Sequence, residues 1–293
     1  MHLTGLHGTS HARNSMANAV DSAIHPFDRA IALTPHPQGG WSGHTDPAYM
    51  NMVGPFGGLT AAQALNAVLQ HPELLGEPIS LTVNFTAALA DGPYKADARP
   101  VRTNRSTQHW LVTMTQLDAA GTESTMLTAS VVTAKRRTTW SASDVSLPQL
   151  PPPQTVPRGM TDRLTWIKRY ELRLHTGQVP SAWNGAEAES LTRLWVRDDP
   201  PRPLDFCSLA AMVDVFYPRI WLRRAQPTPA GTVSMTTYFH AGAAELAATG
   251  TGHLLGQAKG QQFFNGFFDQ TAQLWNEAGK LLATSHQVVY FKE

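Results

Sequence analysis

Asp214 stands in the run Leu209-Ala210-Ala211-Met212-Val213-Asp214-Val215-Phe216, where every neighbour is apolar. A carboxylate in such surroundings is costly to bury unless it finds partners or takes up a proton. Two roles stay open from the residues alone. One is a structural Asp bonded to backbone donors or an arginine; the other is a catalytic carboxylate in a largely dry pocket. A second polar group is out of place in the closing stretch "LLATSHQVVYFKE". Read with period 2, it puts Leu281, Ala283, Ser285, Gln287, Val289 and Phe291 on one strand face. Gln287 is thus a primary amide on a face that is otherwise mostly apolar.

The more familiar chemistries find little support. Ser285 and His286 are adjacent on a strand, point to opposite faces, and cannot form a nucleophile–base pair. No GxSxG elbow occurs. Cys207 falls near a helix start, where the dipole can lower a thiol's pKa, but its apolar context fits a small buried thiol better. The twelve histidines include no HExxH or other metal spacing, so no metal or cofactor is expected, and His240 reads as a packing or hydrogen-bonding residue. "GPFGG" (Gly54 to Gly58) is neither a P-loop nor a dinucleotide fingerprint; it reads as a tight turn into a helix.

The elements that must position these residues come in two copies. "SLTVNFTAAL" (Ser80 to Leu89) resembles "SMTTYFHAGA" (Ser234 to Ala243), with Phe85 falling on Phe239, 154 residues on. "QLDAAGTES" (Gln116 to Ser124) resembles "LWNEAGKLL" (Leu274 to Leu282), and "VVTAK" (Val131 to Lys135) falls on "VVYFK" (Val288 to Lys292), 157 residues on. That last offset sets Ser130 against Gln287. Between the copies runs the Pro-rich "SLPQLPPPQTVPRG" (Ser146 to Gly159), an extended surface linker. The division is an N-terminal arm over 1–26, a first repeat over 27–140, a linker over 141–162, and a second repeat over 163–293.

Each repeat opens with an apolar helix and continues in antiparallel strands, an α+β pattern. The helices are "GPFGGLTAAQALNAVLQ" (Gly54 to Gln70), interrupted by Gln63 and Asn66, and "DFCSLAAMVDVFYP" (Asp205 to Pro218). Asp205 or Ser208 is the expected N-cap of the second, and Pro218 its stop. A helix apolar on all sides is one wrapped by a sheet. The strands read "SLTVNFTAAL", "YKADARPVRT", "QHWLVTMTQLD" and "STMLTASVVTAKR", then "TVSMTTYFHA", "GHLLGQAKGQQFF", "GFFDQTAQLWN" and "LLATSHQVVYFK".

A sheet wrapped round a central helix, duplicated in one chain, resembles the double hotdog fold, and most closely the acyl-CoA thioesterase II (TesB-like) group of the thioesterase-like superfamily. The likeness runs from about residue 27 to the end. "MVDVFYP" resembles the segment holding that family's catalytic Asp, which implies the role for Asp214. "GTVSMTTYFH" resembles the strand whose catalytic Thr lies eight residues before a Phe-His step, which implies Thr232. "GKLLATSHQ" resembles the last strand, whose Gln completes the triad as Gln287. The Phe-His step is often followed by Arg in the family; here Ala241 follows. The resemblance implies a water-activating hydrolase acting on acyl-CoA, with no covalent intermediate and no cofactor. A backbone N–H at Gly57 or Gly58 would polarise the thioester carbonyl. Two other functions stay open on the same fold: a hydratase or dehydratase acting on acyl thioesters, which usually wants a His that the second helix lacks, and a non-catalytic acyl-CoA-binding protein.

The bulk numbers fit. With 42% hydrophobic and 15% charged residues the chain can bury a sizeable core, and a net charge of +1 argues against a nucleic-acid partner. The basic run "AKRRT" (Ala134 to Thr138) reads as a solvated face, with a phosphorylated ligand as its alternative. One cysteine excludes an intrachain disulfide, no apolar run reaches membrane-spanning length, and the first residues lack the apolar core of a signal peptide, so a cytoplasmic protein is expected. Exposed sheet edges imply a homodimer or larger homo-oligomer.

Overall fold

The computed structural model describes residues 24–159 and 164–293. Most of the expected N-terminal arm and the end of the expected linker, residues 160–162, therefore lie outside the described residues. In chain order the first repeat comprises α1 (Pro26–Ala30), β1 (Thr34–Pro35), β2 (Trp41–His44), α2 (Gly57–Leu69), β3 (Glu77–Phe85), β4 (Pro93–Thr103), β5 (Thr107–Leu117) and β6 (Glu123–Ala134). The second comprises β7 (Tyr170–Thr176), β8 (Thr192–Asp198), α3 (Phe206–Met212), α4 (Arg219–Arg224), β9 (Ala230–Phe239), α5 (Ala243–Thr249), β10 (Leu254–Lys259), β11 (Phe263–Phe264), β12 (Phe267–Asn276) and β13 (Leu281–Phe291).

All pairings are antiparallel, in one sheet ordered β1-β2-β4-β5-β6-β3-β9-β13-β12-β10-β8-β7, with β11 paired to β12. The two halves of this order mirror each other about the β3–β9 pair. Thr82 and Thr236 are direct partners across it, and their hydroxyls meet at 3.0 Å. These residues are also 154 apart in the chain, so the repeat's two-fold axis passes through them. This is the double hotdog architecture.

Each repeat wraps its own helix. From Gly58 to Val68 every residue of α2 is buried, as is all of α3, and the two helices pack on one another. The polar interruptions of α2 are used locally: Gln63 and Asn66 donate to the carbonyls of Ala30 and Ile31, each at 2.8 Å, closing the C-terminal end of α1. Asp205 caps α3 by accepting from the Ser208 amide at 2.8 Å.

Three expectations need correction. Each repeat has strands before its helix, β1–β2 and β7–β8, so the pattern does not begin at the helix. The stretch "GHLLGQAKGQQFF" is two strands, because the chain breaks at Gly260, where a Cβ would lie 2.7 Å from the Phe263 ring and 2.9 Å from the Asp269 carbonyl. The second helix stops at Met212, well before Pro218, which instead caps α4.

The repeat register also shifts by one. Leu81 pairs with Val131, and Met235 pairs with Gln287. Since Leu81 and Met235 are equivalent positions, the counterpart of Gln287 is Val131; Ser130 lies on the exposed face. A one-residue slip in a strand exchanges its faces, and the similarity of "VVTAK" to "VVYFK" concealed one.

Candidate active site

Asp214 is carried not on a helix but on the turn that ends one. Val213 is the C-cap of α3, and the Asp214 amide bonds the Ala211 carbonyl at 3.1 Å. This turns the carboxylate toward the first residues of α2. The approach is close: a Cβ on Gly57 would lie 3.0 Å from Asp214 Oδ2 and press on it, and one on Gly58 would lie only 2.5 Å from the Ala211 carbonyl, where no side chain fits. Phe56, the N-cap of α2, stacks on Trp166 of the second repeat with ring centroids 4.2 Å apart, which fixes the helix entry.

Gln287 projects inward from β13 and is 2% exposed. Its Nε2 donates to Asp214 Oδ1 at 2.7 Å and lies 3.4 Å from Met235 Sδ. Its Oε1 accepts from the Thr232 hydroxyl at 3.1 Å. Thr232, Gln287 and Asp214 therefore form one hydrogen-bonded chain that orients the amide with its N–H toward the carboxylate.

Thr232 reaches that chain only because β9 is bulged. Alternation along the inner face, through Phe239, Thr237 and Met235, would continue to Val233 and turn Thr232 outward. Instead Val288 pairs with Ser234 and Val289 with Thr232, leaving Val233 unpaired and 41% exposed. A bulge re-aims the side chains beyond it. The first repeat has the same bulge, with Ile79 skipped between Pro78 and Ser80.

Burial raises the Asp214 pKa from 3.8 to about 7, while the Gln287 hydrogen bond and the Gly58 backbone N–H oppose that rise. Asp214, Thr232 and Gly57 each retain some accessible surface, whereas Gln287 between them is buried.

The two repeats supply an internal control. Four neighbouring inner positions of the second are polar: Thr237, Ser285, Gln287 and Gln270. Their counterparts in the first are Val83, Ala129, Val131 and Trp110. All eight are buried. Among the described residues Thr237 Oγ1, Ser285 Oγ and Gln270 Nε2 have no hydrogen-bond partner, a feature that strand alternation alone did not reveal for Thr237 and Gln270. Sequence reasoning also missed Asp198, a second buried carboxylate raised to about 7 by desolvation; it accepts a 2.5 Å hydrogen bond from Ser208.

The other residues weighed from sequence lie elsewhere. Cys207 is buried, and burial pushes its thiol well above the usual range. Ser285 is buried while His286 is exposed and meets Asp269 at 3.1 Å. His240 bonds Thr284 at 3.0 Å. Arg136 of "AKRRT" pairs with Glu77 at 3.1 Å and donates to the carbonyls of Pro78 and Phe239, so it ties the repeats together. A surface hollow of about 700 Å³ near Arg223 and Lys259 includes none of the Asp214 site, and its Arg223, Lys259 and Arg224 are paired with Glu187, Glu189 and Glu293.

Fold and site define a tandem hotdog protein with a hydrogen-bonded Asp–Gln–Thr chain facing the start of its first helix. The sequence matches the acyl-CoA thioesterase N-terminal domain over residues 46–134 and the acyl-CoA thioesterase C-terminal domain over residues 142–291, and the chain belongs to this family of thioesterases. Among solved structures it is similar to a conserved protein of unknown function with the hot dog fold from Alicyclobacillus acidocaldarius. The two are 43% identical over 92% of this chain and 99% of that one, with a TM-score of 0.86. A putative thioesterase II from Thermobifida fusca shares the fold at 20% identity over 92% and 98% of the two chains, TM-score 0.75. So does an acyl-CoA thioesterase II from Mycobacterium marinum, at 17% identity over 91% and 98%, TM-score 0.72. No curated protein matches the chain. Among the described residues no helix is long and apolar enough to cross a membrane.

Proposed function

We propose that the protein hydrolyses acyl-CoA to a free carboxylic acid and CoA with water activated at Asp214. The observation that carries this reading is the Thr232–Gln287–Asp214 chain, in which one carboxylate oxygen is held by the amide and the other faces Gly57. A carboxylate raised to about 7 is matched to proton transfer near neutral pH. Water adds to the thioester carbonyl carbon and gives its proton to Asp214. The carbon–sulfur bond then breaks, and the CoA thiolate leaves and takes up a proton. The Gly57 backbone N–H, at the positive end of α2, is the donor assigned to the developing oxyanion; that of Gly58 serves the carboxylate. Thr232 holds the Gln287 amide in the orientation that keeps Asp214 in place.

The test is thiol release from a panel of short, medium, long and aromatic acyl-CoAs, with the unaltered protein and Asp214→Ala. The reading expects turnover that Asp214→Ala abolishes without loss of folding. Tight binding of acyl-CoA with no hydrolysis of any member would replace it with a binding function.

A further inference from the structure

The hairpin "FFNGFF" (Phe263 to Phe268) takes no part in the chemistry proposed above. Asn265 and Gly266 have φ of 52° and 79°, the paired positive values of a type I′ turn, so β11 and β12 meet in a tight tip. Residues directly opposite across a ladder share a face. Phe263 and Phe268 therefore point inward together, stacked with centroids 5.4 Å apart, and they pack with the buried Ile220, Val289 and Phe291. Phe264 and Phe267 point outward together and are 65% and 47% exposed. Phe267 also pairs with Tyr290 of β13, ring centroids 6.4 Å apart, and Val288, 44% exposed, lies diagonally beside them. These four side chains make one apolar patch on the outer face of the sheet.

The equivalent hairpin of the first repeat is polar. There Thr107 pairs with Ala134 where Phe267 pairs with Tyr290, and the tip reads Asn104-Arg105-Ser106. The fold thus needs a hairpin at both places but aromatic rings on the outside of neither, and a contiguous exposed apolar patch marks an interaction site. The sheet edges are poor alternatives. β1 is two residues long and ends in Pro35, while the linker lies along β7, with Gly159 donating to the Leu172 carbonyl at 3.0 Å and Arg173 donating to the Val156 carbonyl at 2.7 Å. The patch also carries both signs of charge. Asp269, paired with His286 at 3.1 Å, borders the Phe267–Tyr290 row on one side; Lys292, its Nζ 6.0 Å from the Tyr290 ring, borders it on the other. A two-fold axis along that row sets the acid of one copy against the base of another, so the patch is complementary to itself.

We propose that the Phe264–Phe267 tip is the contact through which two copies of this chain form a closed two-fold dimer. Aromatic rings at the centre of such a contact carry most of its binding energy, and the paired charges at the rim set its orientation. The proposal concerns assembly and is independent of the hydrolase reading above.

The experiment is sedimentation equilibrium over a range of protein concentrations, with thermal melts to confirm folding. It compares the unaltered protein, the double variant Phe264→Asn with Phe267→Thr, which installs the residues of the first repeat, and Val288→Lys, which sets like charges against each other across the axis. Leu111→Lys, at an exposed position on the outer face of the first repeat, is the control. The unaltered protein and the control should reach a mass of two copies and stop there. The dissociation constant should rise about thirtyfold or more in the double variant and in Val288→Lys, the effect of losing a hot spot. Should the double variant fail to fold, Val288→Lys alone decides. A rise below about threefold in the folded tip variants, an equal rise in Leu111→Lys, a mass that climbs past two copies, or an unaltered protein that stays monomeric overturns the proposal. Co-sedimentation with phosphatidylcholine vesicles separates the other occupant: a monomeric protein that pellets with vesicles, and fails to when the tip is changed, assigns the patch to a lipid surface instead.

Discussion

Asp214→Asn separates what the site does from what it costs the fold. In the folded protein the carboxyl pKa is about 7, against an ordinary 3.8. An acid whose pKa is raised by folding binds its proton more tightly in the native state, so stability falls as pH rises between those two values and is constant above the higher one. The difference of about three pH units, at roughly 1.4 kcal/mol each, is about 4 kcal/mol of destabilisation once Asp214 is ionised. Asparagine carries no charge and can still accept from Gln287 through its carbonyl oxygen. Its amide nitrogen replaces one acceptor oxygen, and the loss of that acceptor beside a buried donor costs about 1–3 kcal/mol.

The variant should therefore be more stable than the unaltered protein by about 2 kcal/mol above neutrality while losing hydrolysis. Denaturant unfolding of both proteins at about pH 4.5 and about pH 8.5 measures this; the stability difference should move in favour of Asn by about 3 kcal/mol between the two. Asp198, raised for its own reasons, is common to both proteins and cancels in the comparison. For the unaltered enzyme kcat/KM should climb to a plateau through about 7, since the base must be ionised to accept a proton. A pH-independent stability difference would show that Asp214 carries no shifted pKa, and the reasoning from burial to base would fail with it.

Gln287→Leu, which copies the apolar character of Val131, should leave Asp214 without its side-chain donor and lower kcat by about 10²–10³, the range for loss of one preorganised polar contact; an unchanged kcat would remove Gln287 from the mechanism. Thr237→Val and Ser285→Ala install the residues of the first repeat at positions whose hydroxyls are buried and unpaired. Each should stabilise the fold by about 1 kcal/mol, read as a raised unfolding midpoint. Cys207 should resist alkylation by iodoacetamide in the native protein and react only after unfolding, since burial both shields the thiol and keeps it protonated; fast native labelling would contradict that placement.

Much of the fold was legible because burial leaves a periodic trace. The strands of both repeats alternate in the sequence as they do in space, and α2 and α3 are apolar on all sides because the sheet wraps them. The first strands of each repeat were missed for a different reason. β1 and β2 are two and four residues long, too short to show a period, while β7 and β8 lie within the second repeat as bounded but bury Glu171 and Asp198, charged residues that blur their alternation. The end of α3 was misplaced because Val213, Val215 and Phe216 are buried beyond it, and apolar residues do not distinguish a helix from the turn that follows when both are enclosed.

The site shows where periodicity stops being sufficient. Gln287 is anomalous on its own strand and could be found there. Thr232 could not: strict alternation turns it outward, and only the resemblance to a known family picked it out. The bulge that turns it inward inserts one unpaired residue, Val233, whose type does not announce it. Comparison of the two repeats exposes the device, because both bulge at the same place and only one puts a hydroxyl beyond it; the other has Pro78. The bulge thus belongs to the fold, and the site was built on it by changing side chains at positions already aimed inward. The same holds at the helix starts, where one repeat has Gly57 and the other Phe206. The helices themselves differ: α2 runs for 13 residues and α3 for seven, so that Asp214 falls on the turn that ends α3. The polar chain of the second repeat thus depends on a bulge shared by both repeats and on a helix end that is not.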